Sequence, residues 1–239
     1  KVKAMATDIV PELLEVIERD FNTFLRQNKE IERIRQAIEE GSATYKQAYE
    51  YAEQVGEALA NSFEKNISSE VLPDGHMYFN IAERILNPTL ERNHILVADV
   101  SVEIQEILNR KAGLGLKGIS PELNRNRIKS IIERVVHEEI YDDVKWMLAA
   151  PVVNFTKSVV DDTIQANADF QYQSGLYPRI IRYTQGSETC EWCRSLAGVY
   201  KYPDVPDDVY KRHDRCDCVV EYDPGDARRQ NVWTKEWRR

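Results

Sequence analysis

The residues of this chain whose types and spacing can do chemistry are Cys190-Glu-Trp-Cys193 and, after nineteen intervening residues, His213-Asp-Arg-Cys216-Asp-Cys218. All four cysteines fall within 29 positions, and residues 1–189 contain none. Two sulfurs three residues apart can grip one ion from a tight turn. A second knuckle carrying an imidazole and a thiol then closes a tetrahedron of soft and borderline ligands, the set that Zn²⁺ prefers. Five side chains, Cys190, Cys193, His213, Cys216 and Cys218, compete for four positions. Cys190, Cys193 and His213 are the expected first three; Cys216 and Cys218, which strand alternation puts on one face, dispute the fourth. Three other readings of the thiols are weaker. A disulfide scaffold spreads its cysteines through the fold, a redox Cys-x-x-Cys follows a strand of a βαβ unit that is not visible upstream, and inert buried cysteines need no such clustering. A structural zinc site is the expectation, with the Trp192 ring covering the knuckle and keeping water from the sulfurs.

The elements that must hold this cluster read as two textures. Val10, Leu13, Leu14, Ile17, Phe21, Phe24 and Leu25 form the stripe of an amphipathic helix, as do Ile31, Ile34 and Ile38 up to Gly41. A third stripe from Tyr45 to Phe63 follows a Ser42 cap. Met77 to Leu86 predicts a short helix stopped near Pro88, and Leu90 to Arg110 a longer one. Ser120-Pro121-Glu122 orders a cap, a first-turn proline and an acid, which predicts a helix running to about Ala150. Pro151 breaks it before another helical pattern to about Tyr172. After Ser174-Gly175 come short runs rich in β-branched and aromatic residues: Arg179–Tyr183, Val199–Tyr202 and Cys218–Tyr222. The expected fold is therefore mostly α. A multi-helix body over 1–174 is followed by a small zinc-stapled α+β module over 175–225, too small to hold itself by core burial alone, and by a basic Trp-containing tail over 226–239.

The cluster and its surroundings carry a resemblance. Cys193-Arg-Ser-Leu196-Ala-Gly198-Val-Tyr200, then His213-x-x-Cys216-x-Cys218, is similar to the C-terminal signature of the phage Mu gpF-like family of minor head, or head morphogenesis, proteins. In that family Cys-x-x-Cys leads into a Leu-x-Gly strand and later meets His-Pro-x-Cys-Arg-Cys. The similarity covers about residues 150 to 223. Asp214 stands where the family usually has Pro and Asp217 where it usually has Arg; neither departure removes a ligand. The resemblance implies a structural virion protein made in the bacterial host cytoplasm. It would work at the portal or inner capsid during head assembly and genome packaging, with portal, major capsid or scaffold chains as partners.

Composition narrows the alternatives. The longest apolar stretch, Trp146 to Phe155, is too short to span a bilayer and contains a proline, so no membrane anchor is expected. The opening Lys1-Val-Lys-Ala-Met-Ala lacks the apolar core of a secretory signal and reads as starting inside a longer product. A net charge of −8 disfavours wholesale nucleic-acid binding. From Cys190 onward there are ten basic and ten acidic residues, against 22 and 30 before it, so the acid excess lies in the body. The tail interleaves Arg228, Arg229, Lys235, Arg238 and Arg239 with Trp233 and Trp237, which allows weak DNA contact but suits better an arm that docks on another subunit.

Gly113-Leu-Gly115-Leu-Lys-Gly118 matches a dinucleotide fingerprint literally. It lacks the preceding strand, however, and reads as a flexible interhelical loop on which two segments pivot. His137-Glu138-Glu139 with Asp142-Asp143 reads as a solvated acidic face, and His76 and His94 have no companions at ligand spacing. No catalytic constellation is recognisable, so the chain is expected not to be an enzyme. The rival readings are a zinc-dependent hydrolase or toxin-like effector, with Glu188 or Glu191 as general base, and a zinc-ribbon DNA-binding module.

Overall fold

The computed structural model of the chain describes residues 8–185, 190–213, 215–224, 229–230 and 237–238. The first three helices follow their apolar stripes: α1 (Val10–Gln27), α2 (Lys29–Glu39) and α3 (Tyr45–Asn66). Val10, Leu13, Ile17 and Phe21 of α1 and Ile31 and Ile34 of α2 are buried. Asn28 starts α2, its side-chain oxygen accepting the amides of Glu30 (3.0 Å) and Ile31 (3.1 Å), two of the orphan donors of a first turn. Ser42 does not cap α3 as expected. Its hydroxyl donates back to the Ala37 carbonyl at the end of α2, and the cap is Thr44, whose amide donates to the Gln47 side chain at 2.9 Å. The two residues compete for the same short turn, and Ser42 is nearer the open carbonyls of α2.

Two further expectations are corrected. A single helix, α4 (Phe79–Lys111), runs straight through Pro88. Proline forfeits one backbone hydrogen bond there, but buried residues on both sides, from Ile81 through Ile85, Leu86 and Leu90 to Val97 and Ile104, keep one face against the core, and that burial outweighs the lost bond. The helix expected from Ser120 to Ala150 is broken up. The segment before Asn124 is irregular, and α5 (Arg125–Val135) starts only where Asn124 accepts the Arg127 amide at 3.1 Å. A short α6 (Tyr141–Val144) and a 3₁₀ turn (Lys145–Leu148) follow, and α7 (Ala150–Gln173) carries Pro151 in its first turn, where a missing N–H costs nothing. Glu138 and Asp142 thus share no helix face; both are exposed, Glu138 in the connection and Asp142 in α6, where the Asp142 amide donates to the Ser69 hydroxyl at 3.1 Å. The glycine-rich loop after α4 is held rather than free to pivot. Asn167 brackets Ile119 with two bonds of 2.8 Å, and Asn109 donates to the Leu116 carbonyl at 3.0 Å.

α3 and α7 lie against each other at the centre of the helical layer. Their axes come close because Gly56 faces α7: a Cβ there would sit 2.8 Å from the Val153 Cα. Gly175, with φ +82°, ends α7 in the left-handed region that glycine tolerates best. The chain then forms a three-stranded antiparallel sheet with β1 (Arg179–Thr184) between β2 (Gly198–Lys201) and β3 (Cys218–Asp223). The register pairs Ile180 with Tyr200 on one side and Tyr222 on the other, and Thr184 with Cys218. The chain is therefore mostly helical with a small sheet near its C-terminal end, the expected fold class.

That sheet packs on α3 and α7, and Ile180, Val219, Val220 and Tyr222 enter the same apolar core as the helices. A polar chain crosses the junction: Tyr222 donates to Gln171, Gln171 and Gln105 both donate to the Asn109 side-chain oxygen (3.0 and 2.8 Å), and Tyr45 donates to Gln105 at 2.5 Å. Of the basic tail, only the backbone of β4 (Arg229–Gln230) and β5 (Trp237–Arg238) is described, paired antiparallel with Gln230 opposite Trp237. Trp233, Lys235 and the remainder of that arm lie outside the described residues. Among the described residues no helix is long and apolar enough to cross a membrane.

Candidate metal centre

The first knuckle is built by a one-and-a-half-turn helix, α8 (Glu191–Ser195), for which Cys190 is the N-cap. Its thiol takes the place of the usual Ser or Asp oxygen and accepts the Cys193 amide at 3.3 Å. This bond points Cys190 and Cys193 to the same side one turn apart. The second knuckle is a loop in which Arg215 adopts φ +58°, a left-handed conformation that turns the chain sharply between the exposed His213 and the buried Cys216. Cys218 opens β3, and both Cys216 and Cys218 are buried, as alternation along an extended segment predicts.

The structure brings all five sequence-predicted side chains together. Cys190, Cys193 and His213 form one group whose potential ligand atoms lie within 4.8 Å of one another, and Cys193, Cys216 and Cys218 form a second; Cys193 belongs to both. The His213 Nε2 lies 3.2 Å from the Cys190 sulfur and 3.0 Å from that of Cys193, and the Cys193 and Cys216 sulfurs are 3.7 Å apart. A tetrahedron with metal–sulfur arms of about 2.3 Å has sulfur–sulfur edges of about 3.8 Å, so the Cys193–Cys216 pair is already at ligand spacing. The imidazole contacts are shorter than the roughly 3.6 Å such a tetrahedron needs, and the His213 loop must give by about half an ångström. The donor set fits a soft or borderline metal ion, and the cluster can hold one.

Its electrostatics divide the four thiols, favouring the ligating thiolate form at Cys190 and Cys216 and the protonated form at Cys193 and Cys218. Cys216 is pushed down to about 4, first because Cys218 donates to its sulfur and also because the Arg212 charge is near. Cys218 is raised by giving that proton. The Cys193 amide bond lowers Cys190, whereas burial raises Cys193.

Two buried arginines, which the sequence reading had not singled out, organise the site. Arg182 on β1 is 1% exposed; it donates to the carbonyls of Val209 (2.5 Å) and Lys211 (3.0 Å), lies 3.9 Å from the Cys193 sulfur, and sits over the Trp192 ring at 5.3 Å. It thereby ties the loop before His213 to the first knuckle. Arg212 bonds both oxygens of Asp161 on α7, donates to the Cys218 carbonyl at 2.7 Å, and stacks 4.2 Å from the Tyr49 ring centre. Asp161 also accepts the Tyr49 hydroxyl at 2.7 Å. The second knuckle is thus clamped to the helical layer by an ion pair with no exposed side-chain surface. A period-two reading would have found Arg182, which shares a strand face with the buried Ile180. Asp161 likewise falls on the α7 stripe with Ile164 and Ala168.

Trp192 packs edge-on against His213 with ring centres 5.8 Å apart, on the rim of the cluster, and remains 37% exposed. Glu191 is exposed in the first turn of α8, and Glu188 lies outside the described residues. His76 contacts the Glu138 carbonyl, and His94, its basicity lowered by burial, donates to that of Pro121; both are remote from the thiols in sequence and bonded elsewhere.

No curated protein and no solved structure matches the chain. A family model described as VG15 protein matches residues 27–239, which takes in every helix from α2 onward, the sheet and both knuckles. The chain belongs to the VG15 protein family, a family of viral proteins.

Proposed function

We propose that the protein is a phage minor head protein that acts in capsid assembly and genome packaging at the portal or inner capsid, and that its thiol–imidazole cluster holds a structural Zn²⁺. The observation that carries this reading is the coincidence, in a chain of viral family, of the five-residue Cys/His cluster with the spacing resembling gpF-like head proteins. In this reading the metal is a staple: four sulfur and nitrogen ligands leave no open position for water or substrate. The work is then done by surfaces, and the acid-rich helical body favours protein partners over DNA, because like charges repel. Portal, major capsid or scaffold chains are the proposed partners, with the basic, tryptophan-containing arm as a docking element that contacts DNA at most weakly.

The experiment is quantitative mass spectrometry of heads purified from infected cells, alongside an infection in which the gene is deleted. The expected result is a few to tens of copies per particle and a deletion that yields defective or unfilled heads. Absence of the chain from both precursor and mature particles, with normal heads on deletion, overturns the proposal.

A further inference from the structure

A cavity of about 180 Å³ lies between α5 and the first turns of α7, and none of the five thiol and imidazole side chains lines it. Arg127, Ser130 and Arg134 line it from α5, at spacings of three and seven that put them on one helix face. Asn154 and Phe155 line the opposite wall, and Arg212 lies at its inner end. The guanidinium groups of Arg127 and Arg134, a hydroxyl and an amide therefore line one small concave space, while the Arg212 guanidinium is already held by Asp161 and the Cys218 carbonyl.

The charges do not cancel internally. The Nη1 of Arg127 is buried with no hydrogen-bond partner among the described residues. The Arg134 guanidinium makes no ion pair among the described residues. Of the acids nearby, Glu133 pairs with Lys129 at 3.6 Å, and Asp161 is taken up by Arg212 and Tyr49. Asp162 lies close enough to Arg127 to feel its charge but is not hydrogen-bonded to it among the described residues. A buried cationic donor aimed into a cavity without an acceptor is a cost that an anion removes.

We propose that this cavity binds one phosphate-class oxyanion, with Arg127 and Arg134 as its principal donors. Phosphate suits it better than a carboxylate because its oxygens can accept from several forks, the hydroxyl and the amide at once, whereas two carboxylate oxygens saturate sooner. Duplex DNA suits it poorly: a recessed pocket does not meet a convex backbone, and the chain carries a net charge of −8. Free inorganic phosphate and the terminal phosphate of a nucleotide present the same chemistry.

The test is calorimetric titration of the zinc-loaded full chain with inorganic phosphate at constant ionic strength, then with a nucleoside 5′-monophosphate and its parent nucleoside. Saturable one-site binding at or below about 1 mM is expected. Arg134→Gln, on an exposed side chain that the fold does not need, should weaken it by about tenfold or more. Lys129→Gln, outside the cavity on the same helix, should leave it unchanged, and Arg127→Gln is the second variant if Arg134→Gln fails to fold. Tighter binding of the monophosphate with none of the nucleoside assigns the site to nucleotides and upholds the proposal. No saturation up to about 20 mM phosphate, or parent-like binding by Arg134→Gln, overturns it. Binding of duplex DNA that phosphate does not compete also overturns it, in favour of a nucleic-acid surface.

Discussion

Asp161→Ala removes the carboxylate that bonds Arg212. Both side chains of this pair are fully buried, and Asp161 accepts from two guanidinium nitrogens and the Tyr49 hydroxyl. Without it, among the described residues, the guanidinium keeps the Cys218 carbonyl and the Tyr49 ring, and the tyrosine hydroxyl loses its acceptor. Burial opposes the Arg212 charge and the Asp161 carboxylate sustains it, so the variant strands a cation in the core. Removing one partner of a buried pair costs about 3–5 kcal/mol. At about 2–4 °C per kcal/mol for a chain of this size, the melting temperature should fall by roughly 6–20 °C. Arg212 also precedes His213 and holds the strand that begins at Cys218, so chelator competition should extract the metal faster. The control is Asp161→Leu combined with Arg212→Met, which replaces the pair by apolar groups and should recover most of the loss. Calorimetric melting of the zinc-loaded proteins decides the matter. A loss under about 1 kcal/mol for Asp161→Ala, or a double variant no more stable than the single one, would refute the clamp.

Three further outcomes are expected. Elemental analysis should find one zinc per chain; Cys193→Ser, which belongs to both ligand groups, should abolish it, and of Cys216→Ser and Cys218→Ser the variant that keeps a full equivalent identifies the non-ligand. A full equivalent in Cys193→Ser would refute the assignment. Burial raises Asp162 to about 6 from an ordinary 3.8, so the folded chain keeps a proton that the unfolded chain loses between those values, and its contribution to stability is lost as pH rises through that window. Asp162→Asn should therefore be more stable than the parent by about 2 kcal/mol at pH 7 and equal to it near pH 4; urea midpoints showing the same gap at both pH values would contradict this. Gly56→Ala should cost about 1–3 kcal/mol because its Cβ meets the Val153 backbone, whereas Gly115→Ala, in open space, should be neutral; equal effects would show that α3 and α7 can separate freely.

The spacing of the ligands and the stripes of the first three helices were legible in the sequence because both are local: a turn of chain sets the distance between Cys190 and Cys193, and a period of 3.6 sets which faces of α1 to α3 are apolar. The three strands were legible for the same reason, each being a short β-branched run between turns. Tertiary structure decided the rest. Pro88 ends a helix in isolation, yet the long buried face of α4 carries the chain through it. Ser120-Pro121-Glu122 has the form of a helix start, but the irregular loop whose Ile119 is bonded to Asn167 claims that segment and the start moves to Arg125. Arg182 and Arg212 look like surface residues in any window of sequence. Their burial depends on carbonyls and a carboxylate brought from up to 51 positions away, and the cost of desolvating a charge is recovered only when those partners are all in place at once. The cluster of thiols can thus be read from neighbours in the chain, while the clamp that joins it to the helices exists only in the folded molecule.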